Sequence, residues 1–243
     1  MAKSRAGEWL EAARAAVREG RFAEALERYD YFFEHALEED RYLCGVRVTY
    51  CLEEWAELGK LYPPARTALH DKKIRARGAF VADGDTGAFD DFVSICGYVD
   101  CRDEAVELFA GVHAADRELA GKIVTSVWGD LIAAEQWELC GAYVPDWQAR
   151  YSRALDIFDM DMDDDLPLPF ARDVYQAGAS DEFVRRVGNL FLVLEHTGRA
   201  DEADALRRRV TDDMRARGRE ALAARVVEVD RGEAGPAART DTN

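Results

Sequence analysis

Residues 9–37 read WLEAARAAVREGRFAEALERYDYFFEHAL, and the spacing within this stretch decides the fold. Trp9, Ala12, Ala13, Ala16 and Val17 recur at intervals of three and four, so they share one face of an amphipathic helix. Gly20 follows, where a left-handed residue without a Cβ can close the helix. Phe22, Ala25, Leu26, Tyr29, Phe32, Phe33 and Ala36 then form a second apolar stripe. Two apolar faces joined by one tight turn read as an antiparallel helix hairpin. Ala25 leaves room for close approach of the two helices, and Tyr29 packs over it.

The same grammar recurs downstream. Tyr42 to Leu58 reads as a helix with Val48, Cys51, Leu52 and Trp55 on its face, broken at Gly59. Pro63 and Pro64 suit the first turn of the next helix, where a missing N–H costs nothing. That helix runs towards Gly78, and Asp83 to Gly87 reads as a loop. A third unit pairs Phe89, Phe92 and Cys96 with Ala105 and Phe109 across a turn at Asp100-Cys101-Arg102. A fourth pairs Val124, Val127, Trp128 and Leu131 with Trp137, Cys140 and Val144, ending before Pro145. Trp147 to Met162 is expected to be helical, and the acidic, proline-containing run from Asp163 to Pro169 is not. The last unit spans Val187 to Val210, and its second helix is expected to continue to about Val229.

Turns therefore fall near positions 20, 59, 100, 135 and 198, at intervals of 39, 41, 35 and 63. The first three intervals suit one helix pair per repeat, and the fourth a repeat plus an insertion. The fold class predicted is all-α, an irregular α-solenoid of stacked hairpins with about 10–12 helices. One domain is expected over 1–231, with repeat units near 7–40, 41–80, 86–116, 117–145 and 181–214, an insertion at 146–180 and a disordered tail at 232–243.

These offsets resemble the tetratricopeptide repeat (TPR) family, whose units carry a bulky residue near the start, a turn glycine, a small residue five later and an aromatic nine later. Trp9, Gly20, Ala25 and Tyr29 match all four. Phe89, Ala105 and Phe109 match three, with Asp100 in the glycine position. Leu190, Leu194, Gly198 and Ala203 follow the pattern, with Arg207 in place of the aromatic. Gly45-Val46-Arg47 through Trp55 to Tyr62-Pro63-Pro64-Ala65 is similar to bacterial helical-repeat proteins without an assigned activity. Seven before the turn, where the family places a small residue, stand Ala13, Leu52, Val93, Trp128 and Phe191. Bulky side chains there push helices apart, so the stack is expected to be irregular.

The resemblance implies a concave surface lined by the first helix of each unit. Its outward positions would be Arg14 and Arg18, then Thr49, Glu53 and Glu57, then Asp90, Ser94 and Tyr98, then Lys122 and Thr125, and finally Arg185, Glu195 and His196. Such a groove would be basic at its N-terminal end and acidic beside it. Solvated helix faces would look the same in sequence.

Of 243 residues 48% are hydrophobic, enough for a sizeable core, and the net charge is −16. Such a chain repels phosphate backbones and anionic lipid, which argues against nucleic acid or a membrane as partner and favours basic polypeptides. No apolar leader or membrane-length run occurs, so the cytoplasm is the expected compartment. Five cysteines, Cys44, Cys51, Cys96, Cys101 and Cys140, are an odd number and read as buried reduced thiols. Cys96 and Cys101 are five apart, which does not match a CxxC pair.

Motifs for chemistry are missing. Asp159-x-Asp161-x-Asp163 resembles the opening of a calcium loop, but the sixth and twelfth positions hold Asp164 and Phe170 instead of glycine and glutamate. With Asp165 it forms an acidic patch that could receive a basic partner or a stray divalent ion. His35, His70, His113 and His196 form no zinc-ligand spacing. Neither a GxSxG elbow nor a phosphate-binding glycine loop is present. Arg207-Arg208-Arg209 is interleaved with acids, as on a solvated helix. The expectation is a non-enzymatic scaffold or adaptor without cofactor that binds a protein or peptide. The alternative is an acidic immunity-type inhibitor that occludes the active site of a basic toxin or nuclease.

Overall fold

The computed structural model describes residues 5–163 and 172–230, and helices are the sole regular elements among them. Contacts group the chain into two compact units, 1–130 and 131–243, whereas the sequence reading took 1–231 as one domain.

In the first unit α1 (Arg5–Arg18) and α2 (Phe22–Glu39) form the expected hairpin. Its corner is closed by Gly20 at φ +73°, with Arg21 N–H bonded to the Ala16 carbonyl at 2.8 Å and Gly20 N–H to that of Val17 at 3.1 Å. This is the paired bonding of a left-handed helix stop, which a Cβ would disfavour. The chain then winds through a 3₁₀ turn (Arg41–Leu43), a single α turn α3 (Cys44–Val46), a π turn (Arg47–Cys51) and α4 (Leu52–Leu61). Next come α5 (Pro63–Asp83), α6 (Thr86–Cys96), α7 (Arg102–Ala115) and α8 (Arg117–Ala133), and the unit boundary falls inside α8.

Ala13, Ala16, Ala25, Tyr29, Phe32, Leu52, Trp55, Leu58 and Leu69 are buried in one apolar cluster. Trp55 meets Phe33 edge-on, and its ring N–H donates to the Ala65 carbonyl at 3.0 Å, which satisfies the one polar atom of a buried indole. Leu10 rather than Trp9 enters this core. Trp9 is half-buried and stacks on Tyr31 at 4.1 Å, because the α1 face is rotated towards Leu10, Ala13 and Ala16.

Several boundaries differ from expectation for identifiable reasons. Gly59 does not break a helix. It is buried inside α4, and a Cβ there would lie 3.2 Å from Arg66 Cβ, so the glycine permits α4 and α5 to touch. The break is at Tyr62, whose extended backbone is what a residue before proline prefers. The α5 helix passes Gly78 and stops at left-handed Gly84, leaving a loop of Gly84 and Asp85. Asp85 then caps α6 by accepting from the backbone N–H of Gly87 and Ala88.

The second unit holds α9 (Trp137–Ala142), α10 (Trp147–Asp161), α11 (Arg172–His196), α12 (Ala200–Ala216) and α13 (Glu220–Asp230). The final helix expected from Ala200 to Val229 is two helices, because Gly218 at φ +66° closes α12 with the same paired bonds seen at Gly20. Gly198 does so between α11 and α12. Phe183 contacts Phe158 at 4.8 Å and, together with Leu190, Phe191, Leu206, Val210, Met214 and Val226, makes the core. The expected insertion is mostly helical, since α10 and the start of α11 lie within 146–180. The tail at 232–243 and the stretch Asp164–Pro169 lie outside the described residues.

Candidate functional site

An open, largely apolar groove of the first unit lies between α5 and α7. Tight turns fold α5 against α6 and α6 against α7, so α5 and α7 run the same way along α6. Between them is a groove of about 900 Å³. Its α5 wall carries Ile74, Gly78 and Val81, which share a stripe at four- and three-residue spacing. Its α7 wall carries Leu108, Gly111, Val112 and Ala115, and Gly84 and Leu119 close one end. Ile74 is 62% exposed and Val81 61% exposed, unusual for branched apolar side chains beside a vacant channel. A Cβ added at Gly78 or at Gly111 would meet nothing within 4 Å, so both glycines widen the channel.

The rims carry opposite charge. Lys73 and Arg77 line the α5 side, Glu104 and Glu107 the α7 side. Lys73 Nζ bridges to Glu104 at 2.8 and 3.0 Å and ties the walls together at one end. Burial works to lower the Lys73 pKa, but the hydrogen bond to Glu104 and the charge interactions with Cys101, Glu104 and Cys96 together outweigh it, and the net shift is upward. Lys73 is therefore a fixed cation. Arg77 and Glu107 make no ion pair among the described residues.

None of the face residues expected from sequence lines this groove. In the first unit they are largely occupied with neighbours. Arg14 is bidentate to Glu54, at 2.9 Å from Nε and 2.7 Å from Nη2, and this hydrogen-bonded pair raises its pKa. Arg18, Glu53, Glu57, Lys122 and Thr125 are exposed. Glu57 bonds to Lys60, and Lys122 to Glu118 at 2.8 Å. Thr49 turns back to the Gly45 carbonyl at 2.7 Å. Asp90 accepts from the Ser126 hydroxyl, linking α6 to α8. Tyr98 is half-buried, with its pKa raised by burial and by the Glu53 carboxylate. In the second unit Arg185 pairs with Glu182, Glu195 with Arg207, and His196 stacks on Trp137 at 4.3 Å and 8°.

The acidic patch is partly consumed internally. Asp159 receives both arms of Arg217, at 2.8 and 2.6 Å, and Asp161 accepts from the Tyr175 hydroxyl at 2.7 Å. Asp163 is exposed, and its carbonyl accepts from Arg172 at 3.0 Å. Asp164 and Asp165 lie outside the described residues. Among the described residues no group of three or more His, Cys, Asp or Glu could hold a metal ion.

Four cysteines are buried as expected, but Cys44 is exposed, because its single α turn is peripheral to the core. Burial pushes the Cys51 thiol up to about 12 and the Cys140 thiol up to about 11. Cys96 and Cys101 lie with their sulfurs 2.9 Å apart, a proximity that sequence spacing concealed.

No protein-family model matches the chain, and neither a curated protein nor a solved structure matches it. No helix among the described residues is long and apolar enough to cross a membrane.

Proposed function

We propose that the chain is a non-enzymatic helical-repeat protein of TPR-like design that binds an amphipathic helix from a partner protein in the α5–α7 groove. The observation that carries this reading is the exposed stripe of Ile74 and Val81 facing a vacant, glycine-widened channel. From Lys73 to Gly84 the wall spans about 16 Å, the length of three helical turns. An apolar stripe recurring every three or four residues would fill it, as helices fill grooves elsewhere. The unpaired rim charges set orientation: the occupant carries acid towards Arg77 and base towards Glu107. The concave face of first helices, with Arg18, Glu53 and Thr125, remains a secondary surface in the same reading. Free cysteines fit a reducing compartment such as the cytoplasm.

The test uses a fluorescein-labelled peptide of about three turns with leucines at helical spacing, glutamates on one flank and lysines on the other. Fluorescence anisotropy should report saturable binding to the full chain. Gly111→Trp, which fills the channel, should weaken it at least about tenfold, roughly 1.4 kcal/mol. Gly111→Ala should meanwhile stabilise α7 by about 0.5–1 kcal/mol, because glycine in a helix interior is entropically costly. Equal binding by wild type and Gly111→Trp would remove the proposal.

A further inference from the structure

The corner between α6 and α7 holds two thiols that no part of the peptide-binding reading uses. Cys96 is the last residue of α6, and Cys101 is the N-cap residue immediately before α7. The intervening turn passes through Asp100 at φ +52°, and the Cys101 N–H bonds to the Cys96 carbonyl at 3.3 Å. The Cys101 thiol points at Cys96 Sγ with 2.9 Å between sulfurs. A disulfide bond is about 2.05 Å long, so closure requires less than about 1 Å of movement. All five cysteines are free thiols, and among the described residues Cys96 and Cys101 are the two whose sulfurs meet.

We infer that Cys96 and Cys101 form a redox-active dithiol that a small-molecule disulfide oxidises to an intramolecular disulfide. The two sulfurs have different roles. Cys101 is 9% exposed and Cys96 fully buried, so a reagent from solvent meets Cys101 first. The Lys73 ammonium lies close enough to the pair that both sulfurs help to raise its proton affinity. Cys101 gives its proton to solvent, and its thiolate attacks one sulfur of the reagent. The reagent's S–S bond breaks, one thiolate leaves, and a mixed disulfide remains on Cys101. Cys96, held up as a thiol by burial and by its neighbour Cys101, then loses its proton to the departing thiolate. It attacks Cys101 Sγ and expels the second thiolate. In sum, two protein thiols lose two protons and two electrons, and one reagent disulfide becomes two thiols. The corner that this bond would lock carries Glu104, the wall residue that holds Lys73 across the groove.

The experiment equilibrates the full chain in glutathione buffers of stepped ratio, quenches with acid, alkylates and digests with trypsin. Gly78–Arg102 is one tryptic peptide containing both cysteines. It should appear about 2 Da lighter and unalkylated, while the peptides of Cys44, Cys51 and Cys140 stay alkylated. The equilibrium constant for closure should be at least about tenfold larger in the native chain than in the same chain in urea. Cys96→Ser should trap glutathione on Cys101, and Cys101→Ser should leave Cys96 unmodified. A closure constant no larger than in urea, or glutathione persisting on wild-type Cys101, would overturn the inference. Because the wild-type measurement needs no variant, a misfolded substitution cannot mask the answer.

Discussion

The two units of this protein bury different things. Among the described residues, every buried charged side chain, namely Arg47, Lys72, Lys73 and Asp130, belongs to the first unit. Arg47 reaches from the π turn to both oxygens of Asp91 on α6, with one bond at 2.7 Å, donates to the Phe33 carbonyl, and lies 3.8 Å over the Phe33 ring. Lys72 lies between Asp30 and Glu34 of α2. In the second unit the corresponding pairs, such as Arg217 with Asp159, remain partly exposed around an apolar core. A buried charge tolerates only the packing that satisfies it, whereas an aromatic core accepts small slips. The first unit is therefore the more precisely registered of the two, and it is the unit with the groove and the dithiol.

The largest test of that contrast is Arg47→Ala. It leaves Asp91, whose side chain is 25% exposed, without its partner and removes the stack on Phe33. The expected loss is about 3–5 kcal/mol, the range for breaking a buried pair at one end. Hydrogen exchange read by mass spectrometry should place the new lability in α2, α4 and α6. Unchanged protection there would show that the first unit does not depend on its buried charge.

A smaller effect is expected on acidification. Burial pushes the Glu34 carboxyl up, but the hydrogen bond and charge of Lys72 pull it down further, so its pKa lies below the usual 4.5. A depressed carboxylate stabilises the fold above its ordinary pKa. That stability is lost as pH falls below about 4.5 and through the depressed value. Glu34 and Asp30 stay about half-exposed, so Lys72→Met leaves no buried orphan charge. Its stability should consequently fall less steeply with acid than that of the wild type in urea titrations at pH 3–7. An identical slope would assign acid sensitivity to groups elsewhere.

Much of the architecture was legible in the sequence, and the gaps have physical causes. Helix faces came from spacing, and the corners near 20, 100, 135 and 198 from breaks in that spacing, because both are local properties. Gly59 misled because a glycine serves equally for a turn and for close helix contact, and only the partner Arg66 distinguishes them. The α5–α7 groove was missed because first helices were taken as the binding face. Ile74 and Val81 are exposed, and nothing local in the sequence says that no element covers them. Cys96 and Cys101 were judged by a motif, whereas a turn through Asp100 brings residues five apart together. Nothing local marks Arg47, Lys72 and Lys73 as buried, since their partners Asp91, Asp30, Glu34 and Glu104 are all more than 30 residues distant.

The finest comparison concerns the corners themselves. Among the described residues each unit contains one left-handed helix stop without glycine, Asp100 at φ +52° in the first and Glu135 at φ +54° in the second. Both have the paired stop bonds or their longer counterpart: Gln136 N–H to the Leu131 carbonyl at 2.9 Å, and Cys101 N–H to that of Cys96 at 3.3 Å. A Cβ in this region is strained, yet aspartate tolerates it better than glutamate, since its short side chain can bond locally. Replacement by glycine removes the strain but frees the unfolded chain, and the two effects partly cancel. Glu135→Gly should therefore stabilise by about 0.5–1 kcal/mol and Asp100→Gly by less, a difference of only about 1–3 °C in Tm for a chain of this size. Calorimetry on both variants resolves that order. The reverse order would mean that the Asp100 corner is the strained one, and strain at that turn would then bear directly on how closely Cys96 and Cys101 are held.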